Sequence, residues 1–359
     1  MPGSNPPSTA ILLCNLGTPD APTAKALRRY LAEFLSDPRV VEIPKLVWWP
    51  ILHGVVLRVR PAKSAAKYAR IWMPEGSPLA VWTAKQAKLL LGYLGQRGHR
   101  VVVKVAMRYG NPSIDTALDE LKAAGIEHVL VLPLYPQYCA ATTATVFDKV
   151  AQWGGRRRAL PEWRFVNRYH DDAGYIAALA KRIDDHWMAH GEPERLVLSF
   201  HGVPQRTVRL GDPYQEQCQA TARLLRARLR LKAEHILVTF QSRFGKAAWL
   251  QPYTEPTLVD LARQGVRRVD VACPGFTTDC LETLEEIDIE ARAAFLAAGG
   301  TQFHYIPCLN DQHEWMAALA ALAMRHLQGW PTGLTAPSTG VLRVDATPPG
   351  PRSTIDTDG

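Results

Sequence analysis

Eight short apolar runs, many of them β-branched, alternate with longer stretches of helical periodicity along this 359-residue chain, and that alternation leaves few folds open. A strand that is apolar on both faces must be covered on both faces, which parallel sheets with crossover helices achieve. The runs near Ile11–Leu16, Arg100–Ala106, His128–Leu134 and Arg164–Val166 form a first group of four. Arg195–Phe200, His235–Phe240, Val266–Ala272 and Gln302–Ile306 form a second. Helical patterns lie between them, over Leu79–Leu94, Ala173–His190, Tyr214–Leu231 and Asp279–Ala298.

The third runs end alike, in Leu132-Pro133-Leu134-Tyr135-Pro136-Gln137 and in Ala272-Cys273-Pro274-Gly275-Phe276, and both continue into Thr-Thr before a helix. This weak internal repeat predicts two similar α/β units, each built on a parallel four-stranded sheet, with residues 8–170 in the first and 171–330 in the second. The last helix is free to pack back on the first unit. Residues 331–359, rich in Pro, Gly, Ser and Thr, are expected to be disordered. Ligands of such sheets sit outside the carboxyl ends of the strands, so a cleft between the units would collect residues from both.

A hydrophobic fraction of 47% supports two buried cores, and a formal charge of +8 points to an anionic partner: nucleic acid, an acidic membrane surface, or a small carboxylate. A nucleic-acid partner rests on this charge alone and is not expected. The six cysteines form no C-x-x-C pair, which fits a reduced, cytoplasmic protein. Met1–Ser8 has no apolar core behind basic residues, so a secretory signal is not expected. Leu46–Leu57 is apolar, carries Trp48 and Trp49, and is flanked by Lys45, Arg58 and Arg60. It is too short to span a bilayer; it suits either a segment dipping into a membrane interface or a loop packed under its own domain.

Leu198-Ser199-Phe200-His201-Gly202-Val203-Pro204 puts an imidazole at the end of a buried strand, where it can accept a proton, bind a divalent metal, or merely cap the strand. After Pro274-Gly275-Phe276, Thr277 or Thr278 is expected to cap a helix carrying Glu282, Glu286 and Glu290 at four-residue spacing, with Asp279 near its start. Stacked like charges weaken a helix by roughly a few tenths of a kcal/mol per pair, so a cation, a proton load or solvent must compensate them. Met107-Arg108-Tyr109-Gly110 ends the second strand, where Arg108 could hold a carboxylate and Tyr109 could stack on a flat ligand. Phe240-Gln241-Ser242-Arg243 ends its counterpart. There is no strand followed by G-x-G-x-x-G, no Walker loop and no G-x-S-x-G elbow, which argues against dinucleotide, triphosphate and ordinary esterase chemistry.

From Ala10 to about Leu327 the chain closely resembles the ferrochelatase family. The resemblance rests on motifs in family order: Ile11-Leu12-Leu13-Cys14-Asn15-Leu16-Gly17-Thr18-Pro19, Phe34-Leu35-Ser36-Asp37-Pro38-Arg39-Val40, Gly76-Ser77-Pro78-Leu79, Pro133-Leu134-Tyr135-Pro136-Gln137-Tyr138, Ser199-Phe200-His201-Gly202-Val203-Pro204, Gln241-Ser242-Arg243 and Asp279-Cys280-Leu281-Glu282-Thr283-Leu284. It implies two Rossmann-like domains with a chelatase-like cleft between them, and insertion of Fe(II), as substrate, into protoporphyrin IX. It further implies His201 as pyrrole proton acceptor or metal ligand with Glu282 as partner, and Glu286 and Glu290 as an acidic row for metal or protons. Asn15, Arg108, Tyr109, Tyr135, Trp48 and Trp49 would line the porphyrin site, and Leu46–Leu57 would be an apolar lip in peripheral contact with the inner membrane. Some members carry histidine where this chain has Cys280, and no terminal cysteines for a [2Fe-2S] cluster are present, so no cluster is expected. A chelatase for coproporphyrin or for cobalt, or a non-catalytic tetrapyrrole or metal carrier, are the alternatives.

Overall fold

A computed structural model describes residues 6–245 and 247–333. Its eight strands are β1 Thr9–Thr18, β2 Val102–Gly110, β3 His128–Pro133, β4 Glu162–Phe165, β5 Arg195–His201, β6 Ile236–Gln241, β7 Arg268–Ala272 and β8 Gln302–Ile306. They form two all-parallel sheets of four, ordered β2-β1-β3-β4 and β6-β5-β7-β8. The two orders are the same, so the repeat legible at the third strands extends to the whole topology.

Burial explains the unbroken apolar runs. Ala10 to Cys14 of the central strand β1 are fully buried, as expected where helices cover both faces. One hydrophobic core joins the halves: Ile11, Leu13 and Leu132 share it with Leu198, Phe200 and Ala272, and with the helices Ala173–His190 and His313–Leu327. Separate cores cover the outer face of each sheet. The last helix, His313–Leu327, packs on Pro78–Gln96 of the first half as well as on Ala173–His190. Beyond it, Pro331 and Thr332 do not begin a disordered tail. The Thr9 hydroxyl donates to the Pro331 carbonyl at 3.1 Å, and the Arg100 N–H donates to that of Thr332 at 2.6 Å. The rest of the expected tail, 334–359, lies outside the described residues.

The segment expected to be an α-helix over Asp279–Ala298 differs in start, cap and pitch. It begins at Glu282, runs as a π-helix over Glu282–Ala291, and becomes α-helical only over Arg292–Ala297. Neither Thr277 nor Thr278 caps it: the Thr277 hydroxyl donates across the halves to the Leu134 carbonyl at 3.2 Å, and Thr278 faces Asn15. Asp279 stands before the helix as a buried acceptor for Tyr305, Asn310 and the Cys308 N–H. A π-helix closes i→i+5 backbone hydrogen bonds and so has a wider turn than an α-helix. Glu285 and Glu290 stand five residues apart on it, and Lys67 Nζ bridges them at 3.0 and 2.7 Å.

That bridge also joins the halves, because Lys67 and Arg70 belong to the helix Leu57–Ile71 of the first. Glu285 is 1% exposed whereas Lys67 and Arg70 are 42% and 47% exposed, so removing the carboxylate strands no buried charge. The loss is that of charge-assisted hydrogen bonds, about 2 kcal/mol. Glu285→Ala should therefore lower the denaturant midpoint measurably without unfolding the protein; an unchanged midpoint would show that the bridge contributes nothing.

Candidate active site

Both sheets reverse strand order at their first strand, between β1 and β3 and between β5 and β7, and the carboxyl ends at those switch points are where open α/β sheets bind ligands. In the first sheet this point delivers Leu16, Gly17 and Thr18. In the second it delivers His201. A cleft lined by Gly17, Thr18, Tyr30, Tyr68, Leu79 and Glu282 opens at the first of these points, and His201 is not among the residues that line it. Gly17 has φ +112, and a Cβ on it would lie 1.7 Å from the Tyr109 carbonyl oxygen, so no other residue fits between β1 and β2 at the cleft wall. The Ser77 hydroxyl accepts from the Ala80 N–H, with Pro78 at the first helical position, and this cap fixes Gly76–Leu79 as the adjoining wall.

His201 is the last residue of β5 and pairs with Gln241, the last of β6. The following Gly202 N–H donates to the Gln241 carbonyl at 2.8 Å, and a Cβ at 202 would lie 2.8 Å from that same oxygen. The glycine thus lets the chain turn tightly behind the histidine. His201 Nδ1 lies 2.6 Å from the Gly202 carbonyl oxygen. A carbonyl has no proton to give, so Nδ1–H is the donor and Nε2 of the neutral ring keeps its lone pair. The ring is therefore set as a base or ligand through Nε2.

The acidic helix is attached to this strand pair through Gln241. Its Oε1 accepts from the Ser199 hydroxyl at 2.7 Å, and its Nε2 donates to the Glu282 carbonyl at 2.7 Å and to Glu286 Oε2 at 3.3 Å. Ser242, next along, donates to Glu286 from its N–H at 2.6 Å and from its hydroxyl at 2.5 Å. To do so it adopts φ 62, a left-handed conformation that costs a non-glycine residue roughly 1–2 kcal/mol. Burial nevertheless raises the Glu286 carboxyl above the usual range, opposed by the Ser242 bonds and by the charge of His201. Glu286 thus lies within electrostatic reach of His201 and Glu282.

Glu282 projects toward two tyrosines. Burial raises the Tyr30 and Tyr68 hydroxyls, and the nearby Glu282 charge adds to the effect. Arg60, from the helix Leu57–Ile71, also feels Glu282 and lies over the Phe244 ring at 4.7 Å, linking the two rims of the cleft. The structure thus brings Glu282 and Glu286 to the His201 end of the sheet, while Glu290 is held by Lys67 on another side of the π-helix.

The remaining expected residues divide. Asn15 is buried, and its amide donates to Thr83 at 2.9 Å and to Thr278 at 3.3 Å, tying the halves together beside the cleft. The carboxylate that Arg108 holds is the chain's own Asp37, which also accepts from the buried Tyr109 hydroxyl at 2.9 Å. Tyr135 has a buried hydroxyl with no hydrogen-bond partner among the described residues. Trp48 is buried, donating to the Leu35 carbonyl at 2.6 Å, whereas Trp49 is 64% exposed. Their stretch is not a loop but a helical arm: Lys45–Ile51, a π-segment Leu52–Val56, then Leu57–Ile71. Leu52 and Leu57 face the core, while Leu46 is 93% exposed and Val55 and Val59 are 59% and 56% exposed. Gln241, Ser242, Glu285 and Asp37 were not legible as actors, although three of the four stand in quoted motifs and Glu285 directly follows one; nothing in local periodicity marks a buried amide as a connector.

A family model named Ferrochelatase matches residues 8–327. Ferrochelatase of Methylibium petroleiphilum is 73% identical over 94% of this chain and 93% of its own length, and that of Polaromonas sp. is 66% identical over 90% and 89%. That of Dechloromonas aromatica is 60% identical over 91% and 90%. Among solved structures, SirB from Bacillus subtilis with Fe3+ superposes with a TM-score of 0.50 at 15% identity, covering 89% of this chain and 95% of that one. At that identity the likeness concerns the fold, and it agrees with two parallel four-stranded sheets facing a common cleft. With a matching model over nearly its whole length and relatives this similar across theirs, the chain belongs to the ferrochelatase family.

Proposed function

We propose that this enzyme inserts Fe(II) into protoporphyrin IX in the cleft between the sheets, giving protohaem and two protons. The observation that carries the residue assignment is the His201 hydrogen bond: with Nδ1–H held by the Gly202 carbonyl, the Nε2 lone pair is free in the neutral ring. The reaction needs such an acceptor, because two pyrrole N–H bonds break and release two protons as iron bonds to the four ring nitrogens. His201 takes a pyrrole proton, and Glu286, held by Ser242 within electrostatic reach of His201, and Glu282 pass protons onward or hold the incoming iron. The chamber of Tyr30, Tyr68 and Glu282 supplies aromatic surface against which a macrocycle can be bent to expose its nitrogens. Glu290, paired with Lys67, would sit further out on any acidic path.

Asn15, Arg108, Tyr109 and Tyr135 are proposed to act on porphyrin binding through the shape of the wall they build, since Asn15, Arg108 and Tyr109 already spend their polar groups within the chain. The exposed face of the helical arm, with Leu46, Trp49, Val55 and Val59, is proposed to rest on a membrane surface, where an apolar porphyrin could be exchanged. Among the described residues no helix is long and apolar enough to cross a membrane.

Under anaerobic conditions with Fe(II) and protoporphyrin IX, His201→Ala should cut turnover about 100-fold or more while porphyrin binding stays measurable. Glu282→Gln should slow it about tenfold or more. Turnover retained by His201→Ala would refute the assignment, and faster metallation of coproporphyrin by the wild type would change the substrate. For the arm, co-sedimentation with vesicles containing anionic lipid should fall at least fivefold or so when Leu46 and Trp49 are both changed to Asp; undiminished sedimentation would rule out this face.

A further inference from the structure

A second cluster of ligating side chains lies away from the cleft. His186 and His190, one turn apart near the end of the helix Ala173–His190, meet His304 of β8, and one ring nitrogen from each lies within 4.8 Å of the others. His304 pairs with Asp270, and Asp270 pairs with Leu196, five residues before His201 on β5. At the rise of a strand that is about 16 Å along the sheet from His201, before the offset of two strands is added.

The three imidazoles form one close cluster, with the His186 and His190 rings stacked at 4.3 Å and His304 edge-on to both. His186 Nε2 and His304 Nδ1 face each other at 3.3 Å. Two nitrogens bound at about 2.05 Å in a tetrahedral zinc site stand about 3.3 Å apart, so this pair already has the separation an ion would impose. His190 Nδ1 lies 2.9 Å from the His186 carbonyl oxygen, so it is the N–H donor and Nε2 is left as the donor atom for a metal. His190 is exposed and His186 and His304 are half-buried, so an ion can enter from solvent and keep a water in the fourth position. One carboxylate, ion-paired with Arg268, stands beside the cluster. Asp270 Oδ2 is 3.6 Å from His186 Nε2, and the buried carboxylate is held in place by Trp187 at 3.0 Å and by Arg268. Arg268 also donates from Nη2 to Asp270 Oδ2 at 3.4 Å, and its terminal nitrogens bond the carbonyls of His190 and Gly191 at the helix end.

We infer that His186, His190 and His304 form a second divalent-metal site, separate from the insertion cleft, suited to a borderline ion such as Zn(II). Imidazole ligands favour zinc and the later first-row ions over calcium or magnesium. The inference does not depend on the proposed role of His201.

The test is zinc titration of chelator-stripped full-length protein against a chromophoric competitor, with Co(II) absorption as a report of tetrahedral nitrogen ligation. The wild type should bind one ion per chain that His201→Ala also binds. His190→Ala should weaken that ion at least about tenfold and His190→Ala/His304→Ala should lose it, the cobalt d–d bands with it. Because His190 is exposed, its single variant should melt like the wild type without metal, while zinc raises the melting temperature of the wild type alone. Equal stoichiometry and affinity in the double variant, or a zinc ion lost on changing His201 and not on changing His190, would overturn the inference.

Discussion

The side-chain amide of Gln241 connects the parts on which the proposed chemistry depends. A parallel sheet can place one residue at the end of one strand with little ambiguity, and so it places His201. The acidic helix has no such register with the sheet, because it follows β7 through a loop. Gln241 supplies that register: its oxygen is fixed by Ser199 two residues before His201, and its nitrogen reaches the Glu282 carbonyl and the Glu286 carboxylate. The amide is buried, so each of these bonds forms in a low-dielectric setting where leaving a partner unmet is costly.

The π-helix serves the same end. Along it Glu285 pairs with Lys67 and Arg70 and Glu290 with Lys67, whereas Glu286 is held by Gln241 and Ser242 and Glu282 lines the cleft. One helix thereby divides its carboxylates between joining the halves and facing the cleft. The first half has a π-segment at the matching place, Ala140–Ala144 after β3, so the irregularity belongs to the repeated plan of the fold.

Much of the architecture was legible in the sequence because parallel strands covered on both faces leave unbroken apolar runs, and because the third strands of the two halves end alike. β8 and the helix Ala173–His190 have the bounds their patterns suggest. His201 was legible for the same reason: a histidine directly after such a run must stand at the sheet mouth. The pitch of the acidic helix was not, since four-residue spacing is read as α-helical unless the contacts that widen the turn are known. Nor could spacing reveal that Arg108 and Tyr109 are spent on Asp37, some seventy residues earlier in the chain. The apolar stretch at Leu46–Leu57 fitted two readings because its pattern is mixed, and the structure shows why: Trp48, Leu52 and Leu57 are buried while their neighbours face solvent.

The most direct test is steady-state iron insertion by Gln241→Leu, which keeps the bulk of the side chain and removes both of its polar ends. If the amide sets the acidic helix against His201, kcat should fall about tenfold or more with KM for porphyrin little changed, since misplacement by a fraction of an ångström acts on the reacting geometry and not on the cleft wall. A variant with wild-type kcat would contradict the account.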